Sequence, residues 1–266
     1  MTDLDSSLRL GITITDERQI GRGRPADGVG VVCLRTSFLD MPRASGARRT
    51  ASRIRDAHPG ASLGLYGWHY LTHAAEDPLP GRGTRTIETA GQLVGHLREG
   101  EAMDRAWETT QTAVGAAEAE FVVLRTPAAF APGSLSRRRL EGFVARMSKL
   151  EANARPRLVW EAEGMWTPEE QLELALALDL DVVLPAFETA GRVSDLAIEG
   201  PSNVWLRVGG LGARPELSSA AAEVLGFELG GLADLAAEAD DSRVQRTVLF
   251  EGERAHANLR KVRRAL

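Results

Sequence analysis

The sequence predicts a closed (β/α)₈ barrel. Three observations carry that reading. Eight short apolar runs recur along the chain, each long enough for one strand, and all but the last are separated from the next by loop and helix-like sequence. Such alternation is the mark of parallel βα units. The length of 266 residues matches the roughly 250 typical of one barrel, so residues 1–266 are read as a single domain. No solenoid-type repeat or low-complexity tract competes. An open doubly wound sheet is the runner-up, which fewer than eight genuine strands would produce.

Leu10–Ile14 alternates apolar and small polar residues as the first strand, and a loop rich in glycine and charge follows it. Val29–Leu34 is the second strand, and Ala44–Ala57 reads as a helix closed by His58, Pro59 and Gly60. Leu63–Tyr66 is the third. Residues 67–83 hold aromatics, prolines and glycines, the longest irregular stretch, of the kind that in compact domains is usually functional or mobile. Thr86–Arg98 and Glu101–Ala117 are expected as helices broken at Gly100. Phe121–Arg125 is the fourth strand, stopped by Pro127. Ser134–Leu150 is helical by its apolar spacing, with Ser134 or Ser136 as cap. Arg157–Glu161 is the fifth strand. Thr167, Pro168, Glu169 and Glu170 mark a helix start, because threonine caps, proline suits the first turn and acids favour the positive end of the dipole. Asp181–Leu184, Asn203–Val208 and Arg246–Phe250 complete the strands. Helical sequence at 215–239 is interrupted by Gly226, Gly230 and Gly231, and a terminal helix begins near Glu253.

Composition bounds the function. With 43% apolar and 26% charged residues the chain is ordinary globular protein. The net charge of −5 argues against nucleic acid as a partner, since phosphate-backbone binding usually needs a basic excess. No apolar run reaches the eighteen or so residues of a membrane span, and the acidic N-terminus has no signal-peptide core, so cytoplasmic residence is expected. Cys33 is the only cysteine, which excludes an intrachain disulfide and a thiolate metal cluster. Thirty of the 32 basic residues are arginine, and runs such as Arg137–Arg139 read as solvated helix faces because acids intersperse them.

Chemistry in a barrel comes from strand ends and the loops after them. Those positions hold Arg35, His69, His73, Arg125, Glu161, Glu163, Glu188, Arg207 and Glu251. Arg35, Arg125 and Arg207 at one mouth would suit a phosphate or carboxylate, because guanidinium binds oxyanions through paired hydrogen bonds. His69 and His73 stand four apart, but the sequence around them is loop-like, so a divalent metal is not indicated and no cofactor is implied. The Gly21-Arg22-Gly23-Arg24 stretch lacks both the dinucleotide fingerprint and the P-loop lysine. Trp68, Trp160 and Trp166 lie near the expected mouth, where indoles can stack on a ligand.

Several segments, in order, resemble the YecE-like family (domain of unknown function 72). Thr72-His73 is similar to that family's Thr-His pair after the third strand, and Phe121–Phe130 to its strand and Pro-x-x-Phe turn. Leu158–Trp166 resembles its strand ending in Glu with Trp shortly after, and residues 205–210 (WLRVGG) its aromatic-x-Arg-x-His-Gly strand. The resemblance spans nearly the whole chain and implies a barrel whose reaction is unknown. Departures cluster at the mouth: Tyr66 stands for a lysine, Arg125 for a glutamine, Glu163 for an arginine and Gly209 for the histidine.

Two functional readings follow. In the first, the mouth binds or acts on a small anionic ligand, with Glu161 and His73 as acid–base candidates. The ligand contacts are then Arg207, Arg125, Arg35, Thr72, Trp166, Trp68 and Glu251. In the second, the barrel is non-catalytic and serves as a structural or regulatory partner of another protein. A metal-dependent phosphodiesterase is a third reading, resting on fold analogy alone.

Overall fold

The computed structural model describes residues 8–22, 27–79, 83–89, 91, 93–149, 155–189, 203–209, 215–238 and 245–266. Eight strands form a closed parallel barrel in chain order: β1 (Leu8–Ile14), β2 (Val31–Leu34), β3 (Ser62–Tyr66), β4 (Phe121–Thr126), β5 (Arg157–Ala162), β6 (Asp181–Pro185), β7 (Asn203–Val208) and β8 (Gln245–Glu251). Each lies within two residues of its expected bounds. Helices α1 (Thr36–Leu39), α2 (Ala44–Ala57), α3 (His69–Thr72), α4 (Glu101–Ala117), α5 (Ser134–Met147), α6 (Pro168–Ala177), α7 (Ala186–Thr189), α8 (Ser219–Glu238) and α9 (Ala255–Ala265) follow the strands. No described helix is long and apolar enough to cross a membrane.

The chain divides into two compact units. Met1–Cys33, Arg53–Ser62 and Asp181–Leu266 form the first, and Leu34–Ser52 with Leu63–Leu180 the second. In the first unit β1 pairs with β8, β8 with β7 and β7 with β6. Leu10, Ile12, Val204, Leu206, Val248 and Phe250 are buried there, and Leu259 and Val262 of α9 pack with them. Gly11 is small because a Cβ would stand 2.6 Å from the Val31 carbonyl oxygen. The α8 helix runs unbroken through Gly226, Gly230 and Gly231, contrary to the expected interruption. Gly226 serves contact instead, since a Cβ there would lie 2.8 Å from that of Ala265. Buried Asn258 fixes the approach to α8, accepting from the Leu217 N–H at 2.9 Å and donating to the Pro215 carbonyl at 3.0 Å. The side chain of Glu188 lies outside the description, as do residues 23–26 of the glycine–arginine loop.

This unit also holds a histidine pair, His58 buried and His256 half-buried. His58, 3% exposed, stacks on His256 with centroids 5.4 Å apart, and neither ring nitrogen of His58 has a hydrogen-bond partner among the described residues. Asp27 lies 3.4 Å from His256 Nδ1 and accepts from Arg260 at 3.2 Å. Burial pulls both imidazoles below the ordinary 6.5; His256 lowers His58 further, while Asp27 partly offsets the effect on each. The unfolded chain therefore binds more protons than the fold as pH drops below 6.5, so stability present above that value is lost on acidification. Urea midpoints are expected to be level above pH 7 and to fall below about 6.5, with the fall shallower in His58→Phe. An equal slope in the variant would remove the pair from the explanation.

In the second unit β3, β4 and β5 pair in parallel, with Leu65, Val122, Val123, Leu124 and Val159 buried. Helices α4 and α5 pack through Trp107 and Phe143, edge to face at 5.3 Å. The start of α6 is as expected: Thr167 accepts from the Glu170 N–H, Glu170 reaches back to Thr167, and Pro168 occupies the first turn. Two expectations fail. The residue capping α5 is Gly133, with no side-chain cap from Ser134 or Ser136. Thr86–Arg98 forms no helix among its described residues. Gly91, Gly95, His96 and Leu97 all have positive φ, a conformation a right-handed helix excludes. The polar backbone of this segment is satisfied by α3 instead, with Gly95, His96 and Leu97 donating to the carbonyls of Tyr70, Thr72 and Leu71.

Candidate functional site

Strand alternation places Arg125 and Glu161, register partners on β4 and β5, on one face, and Thr126 and Trp160 on the other. On the first face Tyr66, at the end of β3, donates through its phenol to Glu161 Oε2 at 2.5 Å. A bond from β3 to β5 across β4 requires the concave side of a curved sheet, so these groups face the barrel interior. Glu161 is 1% exposed, and Arg125 Nε lies 3.8 Å from its Oε1. Arg125 also donates through Nε to Glu163 Oε1 at 2.8 Å and through Nη2 to the same oxygen. A buried carboxylate is tolerated when paired and hydrogen-bonded, and here the phenol and the guanidinium do both.

The guanidinium of Arg125 lies over the Phe38 ring at 5.5 Å, and that ring meets His73 edge-on at 4.9 Å. Arg35 lies over the Tyr66 ring at 5.6 Å. His73, 3% exposed, shares a 3.0 Å hydrogen bond with Thr72 through Nδ1. Burial, reinforced by the charge of Arg125, pulls its pKa to about 4, so at neutral pH the imidazole is uncharged. His73 can therefore donate and accept hydrogen bonds at pH 7 but cannot supply a proton as an imidazolium. One group in the cluster is unsatisfied. Arg125 Nη1 is buried and has no hydrogen-bond partner among the described residues.

Trp68, Trp160 and Trp166 are all buried. Trp68 is buried against Tyr70, with Arg85 over its ring, and Trp160 donates to Thr126 Oγ1 at 3.1 Å. Trp166 donates to the Phe130 carbonyl and meets Trp160 edge-on at 5.0 Å. His69 opens a short helix where loop was expected, and its Nδ1 donates to the Phe38 carbonyl at 3.1 Å. Among the described residues no group of three or more His, Cys, Asp or Glu is arranged to hold a metal ion. Cys33 is buried on β2.

The structure thus brings together Arg125, Glu161, Arg35, Thr72 and His73 in the second unit, with Trp68 and Trp166 in the same unit. Arg207 and Glu251 belong to the first. Arg207 sits on β7 beside Leu249, and Glu251 ends β8 beside Thr13. At Gly209 a Cβ would stand 3.2 Å from Glu251 Oε2, so the missing side chain there lets the carboxylate approach the backbone. Sequence reasoning missed Phe38, and it noted Tyr66 only as a departure. Their aromatic types directly after β2 and at the end of β3 were the available signal.

No family model and no curated protein matches the sequence. Solved structures match the fold. A DUF72 family protein from Enterococcus faecalis V583 aligns over 97% of both chains with 10% identity and a TM-score of 0.61. One from Thermotoga maritima MSB8 aligns over 97% of this chain and 98% of its own, with 14% identity and a TM-score of 0.58. A xylose isomerase domain containing protein from Salmonella typhimurium LT2 covers 100% of this chain and 98% of its own at 11% identity and 0.53. With its own closed eight-stranded barrel, the chain has the fold of the DUF72, or YecE-like, proteins.

Proposed function

We propose that the chain binds a small molecule bearing a carboxylate or phosphate at the strand ends of β3, β4 and β5, with Arg125 as anchor. The observation that carries this is the buried Nη1 of Arg125 with no acceptor. An unmatched donor in the interior costs about 1–3 kcal/mol, more for a charged group, and a ligand oxygen would recover it. Neutral His73 and the Tyr66–Glu161 pair supply donors and acceptors around that position. A shift of the phenol toward the ligand would release Glu161 for acid–base work, the role its position at the end of β5 suits.

One observation favours the second reading, a non-catalytic barrel acting through a protein partner. Glu161 and His73 are both almost fully buried, and Glu161 is already engaged by Tyr66 and Arg125. A thermal-shift screen of phosphorylated and carboxylated metabolites separates the two. Binding to the fold should raise the melting temperature of the wild type, and Arg125→Lys, which keeps the charge but lacks Nη1, should respond to none of the hits. A flat screen together with a specific copurifying protein would favour the partner role.

A further inference from the structure

A second group of cations, distinct from the Arg125 cluster, lies in the same unit where α5 passes the segment leading into α4. A surface cavity of 370 Å³ is lined by Leu97, Arg98, Glu99, Arg138 and Arg139. That volume lies at the small end of ligand pockets, which span about 300–1,000 Å³. Three guanidiniums and one carboxylate line it. Among the described residues none of the three arginines has an ion-pair partner; Arg138 donates only to the Ser134 carbonyl of its own helix, at 3.3 Å.

The sequence run Arg137–Arg139 is therefore not one solvated face. Arg137 is absorbed by α6, pairing with Glu170 at 3.7 Å and lying over the Trp166 ring. Its two neighbours are left to the cavity. Arg98 and Arg139 line one cavity, and partial burial, then the charge of Arg98, pulls Arg139 below the ordinary arginine range.

Arg98 is held there by backbone that side chains rarely adopt. His96 and Leu97 have φ of 52° and 53°, and His96 Nε2 donates to buried Asp77 at 2.7 Å. Leu97 is itself buried, its N–H bound to the Leu71 carbonyl, so the loop presents Arg98 from a fixed base. Three guanidiniums against one carboxylate leave an excess of like charge, and a multivalent oxyanion relieves that repulsion while accepting paired N–H bonds.

We propose that this cavity binds the phosphate group of a small molecule through Arg98, Arg138 and Arg139. The site shares no residue with the Arg125 cluster and stands or falls separately. Titration calorimetry of the full chain with sodium pyrophosphate, against sodium chloride at matched ionic strength, tests it. Saturable heat specific to pyrophosphate is expected, weakened about tenfold or more in the Arg98→Ala/Arg139→Ala double variant. Arg137→Ala, which leaves the three guanidiniums of the cavity in place, should titrate like wild type. Should the double variant lose its folded circular dichroism, Arg138→Gln, at an exposed position, replaces it and is expected to weaken binding several-fold. No saturation, equal heats in chloride, or undiminished affinity in the cavity variants would overturn the proposal. So would loss confined to Arg125→Lys, which would place the anion at the mouth.

Discussion

Arg125→Met should destabilise the fold by about 3–5 kcal/mol, the cost of leaving a buried charge without its partner. The group most affected is Glu161, which is 1% exposed and loses the guanidinium 3.8 Å from its Oε1 while the Tyr66 phenol stays. Glu163 contributes less, because its side chain is 31% exposed and can turn to water. Losing this much takes a large fraction of a typical domain's stability. Removing both charges, as Arg125→Met with Glu161→Leu, should recover most of the loss, since an apolar pair of similar volume often replaces a buried ion pair at little cost. Urea unfolding of the singles and the double closes the cycle. A single-variant loss below about 1 kcal/mol, the scale of an exposed pair, would mean that Glu161 does not depend on Arg125.

Gly95→Ala is expected to cost about 3 kcal/mol or more, placing it in the tail of point-mutant effects. At φ of +80° a Cβ would stand 2.2 Å from the His73 carbonyl carbon and 2.3 Å from the Ala74 nitrogen. These are backbone atoms and cannot rotate aside. Gly91 supplies the control. Its φ is +77° with nothing within 4 Å of the added carbon, so Gly91→Ala bears only the left-handed penalty of about 1–2 kcal/mol. If the two variants lose the same stability, the packing of the 93–100 segment on His73 is not what holds it.

The strands were legible because parallel βα units repeat one pattern, and short apolar runs spaced by helix-length sequence leave few alternatives. The capped start of α6 was legible because Thr167 and Glu170 act on their own backbone. Thr86–Arg98 was misread because what shapes it is tertiary. Its left-handed glycines and the carbonyls of α3 that receive its N–H groups decide the path, and neither leaves a local periodic signal. At the site, Glu161 and Arg125 could be found as strand-end residues, yet their facing was hidden, since alternation gives two parities and sequence does not choose one. The Tyr66–Glu161 bond joins residues 95 apart across an intervening strand, and the Phe38 ring under Arg125 depends on how β2 ends. Both are products of closure and no short motif records them. The three arginines read as one set prove to be differently placed: Arg125 is paired with two acids, Arg35 covers the Tyr66 ring, and Arg207 lies on β7 in the other unit.

The proposed role of the buried Nη1 of Arg125 is to anchor a ligand. A crystal structure of the chain with the strongest hit from the metabolite screen tests it most directly. A carboxylate or phosphate oxygen is expected at about 2.7–3.2 Å from Nη1, beside the Tyr66 phenol and the His73 ring. A ligand bound elsewhere, with the Tyr66–Glu161–Arg125 cluster closed and Nη1 still without an acceptor, would contradict it.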